Sequence, residues 1–524
     1  MKSLQEQLRA IRNELPGRNK ERHKNSPKYG STLPSSWLAD AQPTRRKSPT
    51  RKPATVPVAP VTKSQPQPNA STPPPFTPRI DGYKLNMPEW SNIGSSLQHP
   101  KHRSGKTMSA RIGIDFGTAF TKVAIRAGTV LVPIEWSAVT GDNSEAGCYV
   151  VPGFVVRTPD GEFCWRDCTD GDIQNNLKLP VIEKPGSDEC PIATIAYLAL
   201  VIRYARAFLY QKSEIGSMLA ERSLRWELNI GCPTKPHEKD EVVARFRCIA
   251  QTAWQLAAKD RILEKDVRDA WSSENPETDL EAEPGVVPEF VAQIAGYLKS
   301  PQVKNGLHAL IDIGAATLDV ATFNVVLPND SEETPLIPIF FSDIDNLGTH
   351  YLRHNRHSAL ALELSWNDAT PVESSDDFGK QNDKDLDEVR NVDTGFKKKV
   401  IHSIHHVIHS TRTNTHGYPN SPAWEDGLPI FVTGGGANCD LYRQAIREVE
   451  KEMHRRVNST HFRFIELDPS AENSPHIESG NRLTVAFGLT VDADNIARIV
   501  PHRNIEPITY HQQEHVDHTD LYED

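Results

Sequence analysis

The sequence predicts an α/β protein built on an internal duplication. Two similar stretches, residues 111–126 and 309–323, each contain an apolar run ending in Asp-x-Gly, a short turn with threonine, and a second apolar run. This pattern predicts two strands joined by a tight hairpin, because glycine permits a close backbone turn. Strand and helix patterns follow both hairpins in a similar order. The repetition favours two copies of one α/β unit.

Both hairpins carry residue types suited to phosphate. The first has Asp115, Gly117 and Thr118, and the second has Asp312, Gly314 and Thr317. Backbone N–H groups and a hydroxyl in such a turn can face a phosphate oxygen, while an aspartate at the strand end can hold a hydrated divalent cation. One such hairpin is common and weakly informative, so the duplication is the stronger signal.

Charge divides the chain into a basic arm and an acidic body. Residues 1–110 hold 16 of the 39 prolines and 19 Lys and Arg against 6 Asp and Glu, a net charge of +13. The remaining residues hold 40 against 63, a net charge of -23. The low mean hydropathy of -0.52 therefore reflects mainly the arm. Its composition predicts disorder over residues 1–108, apart from a short amphipathic helix over residues 3–15.

The arm is predicted to contact an unidentified protein partner. Nucleic acid is another option for this basic segment, but no interleaving of aromatic and basic residues supports it. Seven cysteines without a CxxC pair predict a reduced, cytoplasmic protein. No signal core and no apolar stretch approaching the length of a membrane span are apparent, so no membrane span is predicted.

Periodicity predicts the elements of the body. The first half is predicted to contain further strands at 130–134 and 226–230, a hairpin at 149–168, helices at 191–222, 237–258 and 290–298, and an exposed segment at 259–283. The second half is predicted to contain strands at 337–341 and 429–432, helices at 349–364, 396–412, 440–457 and 482–489, and a polar loop or small inserted lobe at 365–391. The predicted units are 109–302, 303–500 with a reduced insertion near 365–395, and an acidic, His-rich disordered tail over 501–524.

A glycine-rich turn follows the predicted strand at 429–432. It reads Thr433-Gly434-Gly435-Gly436-Ala437-Asn438 and precedes a predicted helix. Strand, glycines and a helix N-terminus allow the backbone to approach a ligand closely.

Five pieces together resemble the actin-like ATPase superfamily, which includes actin, bacterial actin homologues, DnaK-type (Hsp70-like) chaperones and sugar kinases. In order they are Asp115–Thr118, Glu289 after Val-Val-Pro, Asp312–Asp319, Gly434–Asn438 and Leu483–Gly488. Gly231–Pro233, Thr317–Val320 and Asn346–Thr349 are similar to DnaK-type chaperones in particular. The resemblance implies a duplicated ribonuclease H-like fold. Its two lobes would each hold a mixed five-stranded sheet, with ATP and Mg²⁺ in the cleft between them.

The resemblance also implies roles for individual residues. Asp115 and Asp312 would hold Mg²⁺ through water, with Asp319 joining that network. Glu289 would position the attacking water. The phosphates and nucleoside would be contacted by Gly117, Thr118, Gly314, Thr317, Gly434, Gly435, Gly436 and Asn438.

Three features depart from the chaperone pattern. No lysine follows the 149–168 hairpin in a convincing position, and Arg166 is the nearest basic residue. Lys122 lies seven residues after Asp115, where actin has its phosphate-contacting lysine. It is expected to supply the missing positive charge. Ala315 and Ala316 replace two glycines, with crowding of the γ-phosphate or backbone strain as the expected cost. Neither the subdomain that clasps adenine nor a substrate-binding domain is evident, so the base stays open between adenine and guanine.

Four histidines, His402, His405, His406 and His409, share one helical face in the predicted helix. We interpret them as a solvated face rather than a metal site, because no cysteine or carboxylate ligand lies nearby in sequence.

The predicted function is a nucleotide-dependent switch. ATP and water would give ADP and phosphate in a DnaK- or actin-like core whose lobes open and close, controlling an unidentified partner. The alternatives are a filament-forming bacterial actin homologue and a non-hydrolysing nucleotide-binding scaffold.

Overall fold

The computed structural model of the chain contains three β-sheets with packed helices. It describes residues 76, 84–103, 105–144, 147–168, 170–184, 187, 189–273, 279–328, 333–457, 461–467 and 482–506, all within one compact unit. The predicted helix over residues 3–15, nearly all of the arm before residue 84, and the tail after residue 506 lie outside the described residues.

The strands of the described part are β1 Lys106–Phe116, β2 Phe120–Ala127, β3 Val130–Pro133, β4 Val151–Pro152, β5 Val155–Arg157, β6 Glu162–Cys164, β7 Asp172–Gln174, β8 Arg222–Cys232, β9 Ile262–Leu263, β10 Gly285–Pro288, β11 Gly306–Ile313, β12 Leu318–Val325, β13 Leu336–Asp345, β14 Leu428–Thr433, β15 Phe462–Ile465 and β16 Arg498–Val500.

The helices of the same residues are α1 Ser137–Thr140, α2 Leu179–Glu183, α3 Ile192–Gln211, α4 Gly216–Leu219, α5 Thr234–His237, α6 Asp240–Leu256, α7 Glu264–Trp271, α8 Glu289–Gln293, α9 Ala295–Lys299, α10 Thr349–Ala359, α11 Ser375–Gln381, α12 Leu386–Thr413, α13 Ala423–Asp426, α14 Asp440–Val457, α15 Thr484–Gly488 and α16 Ala493–Ile496. Two 3-10 helices, Glu89–Ser95 and His502–Asn504, complete the set described here.

Each predicted hairpin lies at the centre of its own sheet. The first sheet has the order β10-β8-β1-β2-β3, with β4 also on β2, and the second has the order β15-β14-β11-β12-β13-β16. In both, three antiparallel strands are extended by two parallel strands on one side. The predicted α/β class is confirmed, although each sheet has six strands where the resemblance implies five. A third sheet, β7-β5-β6-β9, contains the hairpin predicted at 149–168.

The body begins earlier than the predicted boundary at residue 109. Strand β1 starts at Lys106, Leu85 is buried in the core, and the 3-10 helix Glu89–Ser95 packs on α3. Its fit is close, because a Cβ at Gly94 would lie 1.9 Å from the carbonyl oxygen of Arg203. Because this segment contains prolines and basic residues, a prediction from composition did not detect its few core contacts.

The segments predicted to be polar and irregular contain helices. Residues 259–283 include β9 and α7, whose Val267 is fully buried. In the predicted insertion, α11 forms and α12 starts ten residues before the predicted helix at 396. Asp385 caps α12 by accepting hydrogen bonds from the N–H groups of Asp387 and Glu388. The predicted tail also starts late, since Ile505 is buried.

Helix α3 contributes more buried residues than any other described helix to the hydrophobic core on the first sheet. Among the described residues it alone is long and apolar enough to cross a membrane by length and composition, which the sequence analysis overlooked. However, 89% of its apolar window is buried inside the protein. Its hydrophobicity is therefore accounted for by core packing.

Helices α8 and α15 cross in close contact beside the first sheet. A Cβ at Gly488 would lie 1.8 Å from the carbonyl oxygen of Ala292, so the crossing requires glycine at that position. Helix α15 also contacts β1 and β2. This packing fixes the start of α8 next to the end of β1.

Candidate functional site

Both hairpins open into one cavity, here called the central cleft. Ten residues singled out from the sequence line it: Asp115, Gly117, Thr118, Lys122, Glu289, Asp312, Gly314, Thr317, Gly434 and Gly435. These residues come from four separate segments of the chain, so the fold brings them together. The predicted residues Asp319, Gly436 and Asn438 lie outside this lining.

The first hairpin places a lysine directly on its aspartate. Asp115 and Lys122 are cross-strand partners in β1 and β2, and the Lys122 Nζ atom donates to Asp115 Oδ2 at 2.6 Å. Asp115 is 5% exposed. Lys122 therefore faces the cleft rather than solvent. At the turn, a Cβ on Gly117 would lie 2.3 Å from the Phe120 carbonyl oxygen, so glycine is required.

The second hairpin brings two aspartates together. Asp312 and Asp319 are cross-strand partners in β11 and β12, and Asp312 Oδ1 accepts a hydrogen bond from the Thr433 hydroxyl at 3.2 Å. Burial raises the pKa of Asp312 to about 6, and the Glu289 carboxylate adds to this shift. Burial, then Glu289 and Asp312, raise the pKa of Asp319 to about 8. Asp319 Oδ1 is buried without a hydrogen-bond partner among the described residues.

A buried lysine that the sequence analysis missed completes this charge cluster. The Lys178 Nζ atom donates to Glu289 Oε1 at 2.5 Å, and its side chain is 4% exposed. Burial acts to lower the pKa of Lys178, but Glu289 and Asp115 outweigh it, so the pKa is raised and the ammonium form is favoured. Burial also raises the pKa of Glu289, against the opposing effect of Lys178.

Lys178, and not Arg166, is the basic residue after the 149–168 hairpin that lines the cleft. Arg166 is exposed and pairs with Glu162 at 3.1 Å, so it takes no part in the cleft. Lys178 stands between Leu177 and Leu179, which are both buried. Because a lysine is rarely buried unless it is paired, its inward position depends on the distant Glu289, which no local pattern reveals.

The glycine-rich turn brings the backbone of the second sheet to the cleft. Gly434 has φ +84°, and a Cβ there would lie 2.3 Å from Asp312 Oδ1. Gly435 has open space at the same position, so its backbone is accessible to a ligand. Gly436 packs against Ile313 and Thr349 instead, and Asn438 lines a neighbouring polar cavity with Arg356 and Asp440. That cavity shares Val372 with the central cleft.

The two alanines of the second turn cause no backbone strain. Ala315 lines the cleft and Ala316 is buried. The described non-glycine residues with positive φ are Asn176, Ala361 and Asp383, so neither alanine adopts the conformation that favours glycine. The expectation of φ strain at this turn is wrong, because the turn closes through ordinary backbone conformations.

The sequence analysis also missed part of the lining. A segment called here the cleft loop, residues 366–373, contributes Asp368, Ala369, Thr370 and Val372. Gln293, Thr349, Arg482, Thr484 and Val485 line the cleft as well. Gln293 lies one turn after Glu289 on the same face of α8, which helical spacing could have indicated. The sequence of the cleft loop contains no comparable spacing that would have predicted its place in the cleft.

Metal ligands are sparse in the described part of the chain. No group of three or more His, Cys, Asp or Glu side chains there is arranged to hold a metal ion. On the histidine face, His402 and His406 are exposed, while His405 and His409 are partly buried with their rings 5.0 Å apart. Half of the predicted solvated face is therefore partly buried.

Comparisons with known proteins leave the family open. No protein-family model matches the chain, and no curated protein matches it. Among solved structures, the chain is similar to the crystal structure of MreB5 of Spiroplasma citri bound to ADP. The identity is 12%, the match covers 72% of this chain and 94% of that chain, and the TM-score is 0.38.

Proposed function

We propose that the chain binds a purine nucleoside triphosphate in the central cleft and hydrolyses it, as an ATPase of the actin-like type. One observation carries this proposal: two Asp-x-Gly hairpins, a glycine turn and two lysines line or border a single cavity. Each feature alone is common, but their convergence from distant segments supplies the groups that a nucleotide needs.

The phosphates would lie between the two hairpins. Thr118 and Thr317 offer hydroxyls there, and the turns offer backbone N–H groups. Lys122 and Lys178 both point into the cleft, where ammonium groups favour an anionic ligand. Gly434 and Gly435 would lie against the nucleoside, because the open space at Gly435 leaves its backbone accessible.

The donor set fits a hydrated Mg²⁺ ion. Asp115 and Asp312 would hold it, since magnesium is bound in such sites by one or two carboxylates, water and substrate phosphates rather than by a complete protein cage. The buried Oδ1 atom of Asp319 has no hydrogen-bond partner among the described residues, and a water of this network would satisfy it. When bound, Mg²⁺ supplies neutralisation of phosphate charge. Burial and then neighbouring carboxylates raise the pKa values of Asp312 and Asp319, and a cation held beside them would oppose that shift.

Glu289 is the group proposed to position the attacking water. It begins α8 at the floor of the cleft, where the α8–α15 crossing fixes it. Lys178 holds one of its two carboxylate oxygens, which leaves Oε2 for the water. Positioning of this kind accounts for much of the catalysis in phosphoryl transfer.

A nucleotide-dependent switch follows from contacts on both sides of the cleft. A γ-phosphate bound by both hairpins would favour a closed arrangement, and its loss would release that bias. The basic arm is proposed as the element that meets a protein partner. Duplicated lobes, closeness to DnaK-type chaperones and a cytoplasmic location remain part of this proposal.

The second candidate is a scaffold that binds nucleotide without hydrolysing it. The observation that favours it is the short Lys178–Glu289 ion pair of 2.5 Å, because a carboxylate committed to an ammonium is a poorer group for orienting water. Binding would persist in this case, since the hairpins and the glycine turn are unaffected.

Phosphate release with Mg²⁺ and ATP, together with binding of a fluorescent ATP analogue, tests the proposal. Wild type is compared with Asp312→Asn in the cleft and Asp426→Asn on the exposed surface. We expect wild type and Asp426→Asn to hydrolyse ATP, and Asp312→Asn to lose about 10²-fold or more of the turnover. Binding without turnover in wild type would favour the scaffold. No binding in wild type would reject the nucleotide site.

A further inference from the structure

The side chain of Phe76 packs against the first turn of helix α10, which borders the central cleft. Phe76 is the described residue nearest the N-terminus and is 2% exposed. The centroid of its ring lies 4.7 Å from that of His350 and 6.3 Å from that of Tyr351, both in the first turn of α10. A bulky apolar side chain from the predicted arm is therefore buried on the body.

The first turn of α10 is part of the phosphate region. Thr349 lines the cleft, and its N–H donates to the Gly314 carbonyl at 3.1 Å. The His350 N–H donates to the Ala315 carbonyl at 2.8 Å. The helix that carries Phe76 is thus hydrogen-bonded directly to the second hairpin turn, so a shift of this helix would move the turn.

The same helix holds the cleft loop in place. His350 Nδ1 donates to Asp368 Oδ2 at 2.9 Å, and both side chains are almost completely buried. Arg353 donates to the carbonyls of Thr370 and Pro371 at 2.9 and 2.7 Å. Asp368 and Thr370 line the cleft, so the loop depends on α10 for its position. Packing of Phe76 against the His350 ring supports the residue that makes the first of these bonds.

The chain is also fixed on the opposite side of the cleft, nine residues after Phe76. Leu85 is buried in the core of the first sheet. The Asn86 N–H donates to the Val139 carbonyl at 2.9 Å, and the Met87 N–H donates to the Trp165 carbonyl at 2.7 Å. Phe76 and Leu85 are therefore both buried on the body, Phe76 against α10 and Leu85 in the core of the first sheet.

An electrostatic interaction relates α10 to α2. Burial, and then the carboxylate of Glu183, raise the pKa of the Tyr351 hydroxyl. Glu183 ends α2, the helix that begins directly after Lys178. The surface on which Phe76 packs is consequently close to the mouth of the cleft.

We propose that Phe76 is an anchor that holds α10 and the cleft loop in the arrangement seen here and so slows the release of bound nucleotide. This inference rests on the proposed function for its nucleotide part. Removing Phe76 from α10 loosens the cleft loop and accelerates nucleotide exchange. A protein partner that bound Phe76 would have this effect. The effect follows because side chains of α10 hold the loop: His350 bonds to Asp368, Arg353 to Thr370 and Arg356 to the Glu373 carbonyl.

The first test needs no nucleotide. Amide hydrogen exchange over residues 361–374 is measured in the full chain for wild type, Phe76→Ala and the control Lys84→Ala, whose side chain is 84% exposed. We expect faster exchange of this segment in Phe76→Ala, with Lys84→Ala matching wild type. Unchanged exchange in a folded Phe76→Ala protein would overturn the anchor.

The second test measures release. Each protein is loaded with a fluorescent ADP analogue and chased with excess ATP, and dissociation is followed by stopped flow. We expect dissociation from Phe76→Ala to be about 5- to 50-fold faster, the usual range of coupling between sites. Phe76→Leu keeps apolar bulk and should give a smaller effect. Equal dissociation rates in wild type and Phe76→Ala would overturn the regulatory part.

The two tests separate the anchor from the nucleotide proposal. If wild type does not bind the analogue, the proposed function fails, and hydrogen exchange still decides whether Phe76 holds the loop. If Phe76→Ala lowers the melting temperature enough to leave it unfolded, Phe76→Leu carries both measurements, and its agreement with wild type in both would overturn the proposal.

Discussion

His308 is a buried titratable residue that should make the protein sensitive to acid. Its ring stacks between Phe323 and Phe431, Nδ1 donates to the Gly306 carbonyl at 2.8 Å, and Nε2 accepts from the Tyr297 hydroxyl at 3.0 Å. Burial lowers the pKa of His308 to about 4. The native state therefore favours the neutral imidazole.

We expect this residue to reduce the free energy of unfolding as the pH falls. Because the folded pKa lies below the unfolded value of about 6.5, the stabilisation is complete above pH ~6.5 and is lost between pH ~6.5 and ~4. The loss from His308 alone is about 3 kcal/mol. Urea unfolding at pH 7 and pH 4.5 measures it. His308→Phe should show a shallower pH dependence, whereas exposed His406→Gln should keep that of wild type; equal slopes for His308→Phe and wild type would contradict the assignment.

Among individual site residues, the sequence predicts those that belong to short motifs. Asp115, Asp312 and Thr317 were found because an Asp-x-Gly hairpin is defined by neighbours in the chain. Lys178 was missed because its place beside Glu289 depends on contacts between residues 111 positions apart. Asn438 was included by its nearness to the glycines, yet it lines the neighbouring cavity.

Among the elements, the α8–α15 crossing should be the least tolerant of added volume. A Cβ at Gly488 would lie 1.8 Å from the Ala292 carbonyl oxygen, which belongs to helix backbone and cannot rotate away. We expect Gly488→Ala to lower the free energy of unfolding by about 2–4 kcal/mol, measured by urea denaturation.

Gly395 supplies the matched control. It lies in α12, is exposed, and a Cβ there would meet nothing within 4 Å. Gly395→Ala should raise the free energy of unfolding by about 0.5–1 kcal/mol, because alanine loses less backbone entropy in a helix than glycine does. If Gly488→Ala lowers the free energy of unfolding and Gly395→Ala raises it, the result supports close packing at the α8–α15 crossing. Equal destabilisation by both substitutions would count against it.

The elements also show where sequence periodicity is sufficient. Strands β1, β2, β11 and β12 were anticipated because apolar runs and glycine turns are local signals. The 3-10 helix Glu89–Ser95 and the helix α7 were not, because each contributes only a few buried side chains to a polar segment. For such elements the stabilising contacts come from the surface onto which they pack.

For the whole molecule, the central question is whether the cleft couples ligand binding to stability. Its lining draws on both sheets, the glycine turn and the cleft loop, so a bound ligand would connect parts that are far apart in sequence. The predicted duplication anticipated that two hairpins would face one site. It did not anticipate the cleft loop or the early start of the body, since neither has a counterpart in the repeated pattern.

We expect Mg²⁺ and ATP to raise the melting temperature of wild type. A ligand at 100 times its dissociation constant stabilises the native state by about 2.7 kcal/mol, which for a chain of this size is a shift of a few degrees. Asp312→Asn should show a smaller shift, because it removes a carboxylate from the proposed cation site. Asp426→Asn should follow wild type.

Replacing ATP with GTP in the same thermal scan decides the base. A larger shift with ATP assigns adenine, a larger shift with GTP assigns guanine, and equal shifts indicate that the glycine turn contacts either purine through its backbone alone. ATP with EDTA in place of Mg²⁺ should remove most of the shift, since the carboxylates of the cleft would then face the phosphates without a neutralising cation. Absence of any shift in wild type would mean that the hairpins preserve a fold whose nucleotide binding has been lost.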